Sequence, residues 1–234
     1  TPTHIFGTVS SETDTLGNTT YYFYNEDNGR LLATIYPEGN GVSYQYDAVG
    51  NLTMVLPADI NSTSTGYTSN TSSASVSYDY NDTTQRLDAI TTKPSSTMST
   101  TYTFMYDGFG NTTGIYVGIR TLADYTYNTN NGKLSVLSYG NGHQVKYVYD
   151  ALDRISEVQY NTGTNGSFET VYSYTYDSAG NVYSVTDHIS SEVTLYKYDA
   201  AGKLMQSYVY DEETYLNLYG TSVYYDEESR IFMV

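Results

Sequence analysis

The sequence predicts an all-β protein built of successive antiparallel hairpins, and three observations carry that prediction. A pair of aromatic or apolar residues two apart, followed by Asp or Asn, a short polar turn and usually a Gly, occurs nine times along 234 residues. The second aromatic of each occurrence falls at Tyr24, Tyr46, Tyr80, Tyr106, Tyr127, Tyr149, Tyr176, Tyr198 and Tyr225, at steps of 21 to 34 residues, so a unit of about 22 residues recurs with insertions. No stretch carries sustained helical periodicity, whereas residues two apart share one face of a strand.

Within a unit, an aromatic pair such as Tyr44 and Tyr46 opens one strand and a run such as Leu52 to Leu56 supplies the next. In YDAVGN, Asp47 suits the first position of a type I turn, where its carboxylate accepts a backbone N–H two residues on. Gly50 suits the left-handed position that closes a short hairpin loop with a bulge. The same reading applies to Asp107 with Gly110, Asp177 with Gly180, and Asp199 with Gly202. After Asp150, Asp153 stands where the Gly belongs, and Asp tolerates that conformation. A second variant, YNEDNGRL, YNDTTQRL and YNTNNGKL, carries Asn and one more loop residue. The returning ends are marked by Gly39-Asn40-Gly41 and Gly140-Asn141-Gly142.

The whole of 1–234 reads as one continuous repeat array, with 1–20 an incomplete first unit. Segments 58–75, 91–101 and 161–170 break the period, and their Ser, Thr, Asn and Gly content reads as inserted loops.

A formal charge of −16, from 26 acidic against 10 basic residues, speaks against nucleic acid and anionic membrane surfaces as partners, because both require clustered Lys and Arg. No segment has the ~18 consecutive apolar residues of a membrane-spanning helix. The chain contains no cysteine, so it has no thiol chemistry or disulfide framework. Arg30, Arg86, Lys133, Arg154, Lys203 and Arg230 all follow a hairpin turn, where they reach turn carboxylates or lie over Tyr rings. Thirty tyrosines and no tryptophan suit a thin sheet in which ring faces pack in ladders while hydroxyls stay wet.

A search for catalytic groups returns little. His4, His143 and His188 show no metal-ligand spacing, most carboxylates already have a turn role, and no GxSxG turn occurs. The sequence therefore predicts a non-enzyme with no cofactor. Repeated turn oxygens make Ca2+ the one cation the composition admits, but the DxDxDG clustering of dedicated loops is missing. Candidate glycosylation sequons stand at Asn18, Asn51, Asn61, Asn70, Asn81, Asn111 and Asn165.

From about Asp14 to Ile231 the order of aromatic pair, Asp, Gly and a basic or amide residue before an aliphatic resembles the YD repeat, also called the RHS repeat. The resemblance implies a long antiparallel sheet that spirals into a hollow shell. In bacteria such shells enclose toxic polypeptides, in RHS polymorphic toxins or insecticidal toxin complexes; in animals the related teneurins use the shell as an adhesion scaffold. Bacterial members usually close with a core segment bearing a DPxGL-like motif and a variable toxin domain. This chain ends at RIFMV with neither, which suggests an internal piece without the self-cleaving aspartyl residues.

Three functions follow as expectations. The first is a structural wall segment of a secreted or cell-surface protein, whose partners are neighbouring repeats or an enclosed polypeptide. The second is a filament or adhesin subunit that joins copies of itself through open sheet edges. The third is a glycan-binding surface on the tyrosine-rich face.

Overall fold

The computed structural model describes residues 7–61, 66–71, 74–163, 166–214, 217–222, 224–225 and 231–233, and every regular element among them is a β-strand. The chain divides into two compact units, Thr1–Thr121 and Leu122–Val234.

The first unit contains β1 (Ser11–Thr13), β2 (Thr19–Tyr24), β3 (Leu31–Ile35), β4 (Asn40–Tyr46), β5 (Leu52–Ile60), β6 (Tyr67–Ser69), β7 (Ser75–Tyr80), β8 (Leu87–Ser95), β9 (Met98–Tyr106) and β10 (Thr112–Val117). They pair antiparallel in chain order, except that β5 pairs with β6 through Ala58 to Ile60 and with β7 through Met54 and Val55. The second unit holds most of β11 (Arg120–Tyr127), then β12 (Leu134–Tyr139), β13 (Gln144–Tyr149), β14 (Ile155–Asn161), β15 (Glu169–Tyr176), β16 (Val182–Asp187), β17 (Glu192–Tyr198), β18 (Leu204–Asp211) and β19 (Asn217–Ser222), again paired in chain order. The short strands β20 (Tyr224–Tyr225) and β21 (Ile231–Met233) pair with each other.

Each aromatic strand ends in a bulge. Gln45 pairs with Met54 but Tyr46 with Leu52, leaving Thr53 as the extra residue, and equivalent shifts follow Phe23, Asp79, Thr126, Val148, Thr175 and Lys197. The extra residue lies on the returning strand, which bends there, while the aromatic strand keeps its alternation up to the turn.

The segment 91–101 is mostly strand rather than an inserted loop. β8 continues to Ser95 and β9 starts at Met98, with Thr91 opposite Thr101. Its threonines are β-branched, and that stiffness favours extended backbone over a flexible linker. In 58–75, Ala58 to Ile60 extend β5 and Tyr67–Ser69 form β6, so this insertion too is partly sheet. In 161–170, Asn161 ends β14 and Glu169 opens β15 around a loop.

Full burial is confined to few positions. In the first unit Ala33, Ile35, Ser43, Leu56 and Ala58 line one face of β3, β4 and β5, with Ser43 Oγ 2.8 Å from Ser69 Oγ. In the second, Ala123, Asn161, Ser184 and Val209 are the buried positions. Most other strand residues are half-buried, as expected of a sheet one layer thick.

Candidate functional site

The hairpin turns that follow the aromatic pairs form a repeated site whose parts reach from one hairpin to the next. In the five-residue loop 47–51, the Asp47 N–H donates to the Asn51 carbonyl and the Gly50 N–H to the Asp47 carbonyl. Asp47 Oδ1 accepts the N–H groups of Val49, Gly50 and Asn51 at 3.0, 2.6 and 2.8 Å, while Oδ2 accepts the Asn51 amide at 2.9 Å. Gly50 has φ 107°, Gly110 95°, Gly180 92° and Gly202 80°, and Asp153 takes φ 61° at the same position. Asp107 and Asp177 repeat the Asp47 pattern with Asn111 and Asn181. Asp199 accepts the N–H groups of Ala201 and Lys203, and Asp150 pairs with the Arg154 guanidinium at 2.7 Å.

Hydrogen bonds to the ionised form hold the carboxyls of Asp47, Asp107, Asp150 and Asp177 below the usual Asp range. For Asp107 and Asp177 the neighbouring Asn amide is the main cause; for Asp150 it is the Arg154 backbone N–H. At Asp47 desolvation pulls upward, and the Asn51 amide and turn N–H groups outweigh it.

A further copy of this turn spans Asp14 to Asn18, with Gly17 at φ 87° and Asp14 Oδ2 accepting the Asn18 amide at 2.7 Å. A count of aromatic pairs passes over it, because β1 has none; the D-x-x-G-N spacing it shares with 47–51, 107–111 and 177–181 is the signal that finds it. In the Asn variant the loop has six residues. Asn25 and Asn81 accept two turn N–H groups each through Oδ1, Asn128 accepts that of Asn130, and the closing position is Gly29, Gln85 or Gly132, all at positive φ.

In four places the cation after the turn couples it to the next hairpin. Arg30 lies over the Tyr46 ring at 5.8 Å, Arg86 over Tyr106 at 5.7 Å, Lys133 over Tyr149 at 5.3 Å and Arg154 over Tyr176 at 4.1 Å. In the same four places the tyrosine hydroxyl donates to the carbonyl of the residue after the cation: Leu31 at 2.8 Å, Leu87 at 2.7 Å, Leu134 at 2.7 Å and Ile155 at 2.6 Å. Three cations go on to a carbonyl of the following turn, Arg30 to Val49, Arg86 to Asp107 and Lys133 to Asp153. The guanidinium also crosses the turn glycine: a Cβ on Gly50 would stand 2.0 Å from Arg30 Nη2, and one on Gly110 2.3 Å from Arg86 Nη2. Glycine is thus required twice over, for φ and for space. Where Asn51 replaces the cation, its amide bridges instead to Gln85 at 2.8 Å.

At Tyr46, Tyr106, Tyr149 and Tyr176 the ring meets a cation and the hydroxyl a carbonyl of the preceding hairpin. Tyr24, Tyr46, Tyr80 and Tyr106 sit on every second strand of their unit, and Tyr127, Tyr149, Tyr176 and Tyr198 do the same in theirs. Two strand spacings separate successive members by about 9–10 Å. Cations and carbonyls fill the gaps. Burial is the first cause raising the hydroxyl pKa of Tyr46, Tyr80, Tyr106, Tyr149, Tyr176 and Tyr198 above the ordinary value. Tyr225 lies in β20, and its side chain is outside the described set, as are His4, Arg230 and Asn165.

At the sequons, Asn18, Asn51 and Asn111 each donate their amide to the turn carboxylate, Asn81 reaches Asp88 at 3.4 Å, and Asn61 Oδ1 accepts the Gly66 N–H. The Asn70 N–H donates to Pro57. Both Asn51 amide hydrogens have acceptors, so a glycan there would displace one. Among the described residues no three metal-binding side chains gather. Two hollows lie in the first unit. One, of about 400 Å³, is lined by apolar groups including Val42, Val55, Leu56 and Pro94; the other, of about 430 Å³, by Tyr44, Tyr46, Tyr67, Asn28, Gln45 and Asp47.

With this geometry in hand, the RHS Repeat family model matches residues 24–59 and 176–214. These two segments match the RHS repeat. Both matched segments contain an Asp–Gly turn with its preceding tyrosine, at Tyr46 to Gly50 and at Tyr176 to Gly180 and Tyr198 to Gly202. The fold is similar to that of solved structures containing TccC3. A TcdB2-TccC3-Cdc42 crystal structure superposes with TM-score 0.65 at 14% identity over 97% of this chain and 12% of that one. The Tc holotoxin pore of Photorhabdus luminescens with TccC3-D651A gives TM-score 0.51 at 14% identity over 98% and 16%. The chain thus spans less than a fifth of the length of either. No curated protein matches the sequence.

Proposed function

We propose that this RHS-repeat segment forms part of the wall of a hollow β-shell, in a secreted or cell-surface protein whose shell encloses a polypeptide. One observation carries the reading: the residues that recur with the repeat are engaged in closing a turn or clamping it to the next hairpin. A wall needs that coupling and no reactive group at each repeat. The acidic balance, the lack of cysteine and the single-layer sheet support the same reading.

Cryo-electron microscopy of the natural gene product tests it. Hollow particles with protein density inside, and an interior chain that survives protease until the shell is opened, are the expected result. Fibres of end-to-end copies would overturn it in favour of a filament. Solid or extended particles would overturn the enclosure.

A second reading, glycan binding, is favoured by the 430 Å³ hollow, in which three tyrosines meet Asn28, Gln45 and Asp47. Flat rings with polar groups beside them suit a sugar face. Saturable binding on a glycan array, lost in Tyr44→Ala, would support it; no binding would remove it.

A further inference from the structure

At the edge of the second unit opposite its Asp–Gly turns, three side chains from separate strands and loops converge. Ser173 on β15 has its Oγ 2.8 Å from His188 Nε2, and the other ring nitrogen, Nδ1, lies 3.5 Å from Glu212 Oε2. We propose that Ser173, His188 and Glu212 form a nucleophile site that takes acyl groups from small activated esters.

The arrangement is the one a serine nucleophile requires. One imidazole nitrogen faces the hydroxyl it deprotonates, and the other lies 3.5 Å from a carboxylate, which on closing to hydrogen-bond length sets the needed tautomer. The backbone fixes each partner. The His188 N–H donates to the Val171 carbonyl, two residues before Ser173 on β15, and the Glu212 N–H donates to the Ser191 carbonyl. Neighbouring carboxylates have other roles: Asp187 Oδ1 accepts the N–H groups of Ile189 and Ser190, and Asp211 Oδ1 those of Glu213 and Thr214. Glu212 is left facing the imidazole. The side chains of His188 and Glu212 are 33% and 37% exposed, so a solute reaches the group directly. None of the three belongs to the repeat motif, and their separations of 15 and 24 residues match no catalytic spacing in sequence.

In the reaction, Ser173 Oγ bonds to the ester carbonyl carbon while its proton passes to His188 Nε2. The carbon–oxygen bond to the leaving group breaks, and the alcohol departs with that proton. Water then attacks the acyl-serine with His188 as base, which releases the carboxylic acid and restores Ser173. Ser173 is paired through Glu157 of β14 and Thr186 of β16, so its strand backbone sits within the ladder rather than in an open anion-binding loop. This restricts the substrates to esters whose leaving group is already good.

The test is labelling of the chain with a fluorophosphonate, in which the serine oxygen replaces fluoride on phosphorus, with the adduct located by peptide mass spectrometry. The expected result is one dominant adduct at Ser173, absent from heat-unfolded protein and slowed at least 100-fold by His188→Gln, the lower end of general-base effects. Glu212→Gln should slow labelling about 10-fold and shift the His188 ring 15N signals toward the other tautomer, a change that loss of packing alone does not produce. Because the chain has no cysteine, Ser173→Cys installs a single thiol. Its alkylation by iodoacetamide should exceed that of a Ser178→Cys control and lose the excess in His188→Gln. Absence of an adduct at Ser173, or rates insensitive to His188→Gln in both chemistries, overturns the proposal.

Discussion

Replacing Gly50 by Ala tests the clamp between hairpins most directly. At φ 107° an L-residue is strained, which costs about 1–3 kcal/mol. The added Cβ also falls 2.0 Å from Arg30 Nη2 and must push the guanidinium off Tyr46 and the Val49 carbonyl. A cation over an exposed ring contributes about 0.5–1 kcal/mol. Together these give a loss of roughly 1.5–4 kcal/mol, or an opening equilibrium about 10- to 700-fold larger at one decade per ~1.4 kcal/mol. Hydrogen exchange of the β4 and β5 amides measures this locally, which matters in a repeat protein that need not unfold as one unit. The clamp contribution is isolated by repeating Gly50→Ala in an Arg30→Ala background, where it should cost ~0.5–1 kcal/mol less. Gly180→Ala is the structural control, since its Cβ would lie 4.0 Å from Arg154 and meet only the backbone penalty. If Gly50→Ala costs the same with and without Arg30, the guanidinium does not clamp the turn and the coupling argument fails.

Other perturbations follow from the same geometry. Tyr176→Phe removes the 2.6 Å bond to the Ile155 carbonyl and should lower stability by about 1 kcal/mol, read from urea denaturation. In acid, Asp14, Asp107, Asp150 and Asp177 have folded-state pKa values below their unfolded ones, so their contribution is complete above the unfolded value near 3.8. The melting temperature should hold from neutrality to about pH 5 and fall below about pH 4, with a smaller fall in Asp177→Asn. In alkali the sign reverses: half-buried tyrosines such as Tyr46, Tyr149 and Tyr176 have raised pKa values, so their contribution is intact below the unfolded value of 10.0 and lost as pH climbs through the folded one. Absorbance at the tyrosinate band should therefore rise late and together with unfolding. Calcium should leave the melting temperature unchanged against a chelator, because the turn carboxylates already accept N–H groups from their own loops; a rise of several degrees would contradict that assignment.

The fold was legible because its signals are local. Aromatic alternation and Asp or Asn turns act within one hairpin, and the sheet follows by adding hairpins in order. Three things escaped for the same reason. The Asp14 to Asn18 turn has no aromatic pair before it, so a tyrosine count starts one hairpin late. Thr91 to Thr101 was read as a loop from composition, whereas paired β-branched threonines extend β8 and β9. The tyrosine–cation pairing joins residues 16 to 22 apart, Arg30 with Tyr46 and Arg154 with Tyr176 among them, and only the strand order makes them neighbours. The cations were recognisable as post-turn residues, but which ring each meets depends on which hairpin lies next in the sheet, a matter of strand order rather than of local sequence.

The nearest-neighbour register of the strands also governs how the chain can be made. Each strand finds its partner among residues no more than about two dozen positions earlier, as Ser77 does with Met54 or Asp211 with Glu192. Low contact order favours rapid, local folding. A chain leaving a ribosome or a secretion channel could therefore lay down one hairpin at a time, each docking on the last, without waiting for its distant end. Every completed strand is the template for its successor, so a stall exposes a single growing edge instead of an unfolded polypeptide.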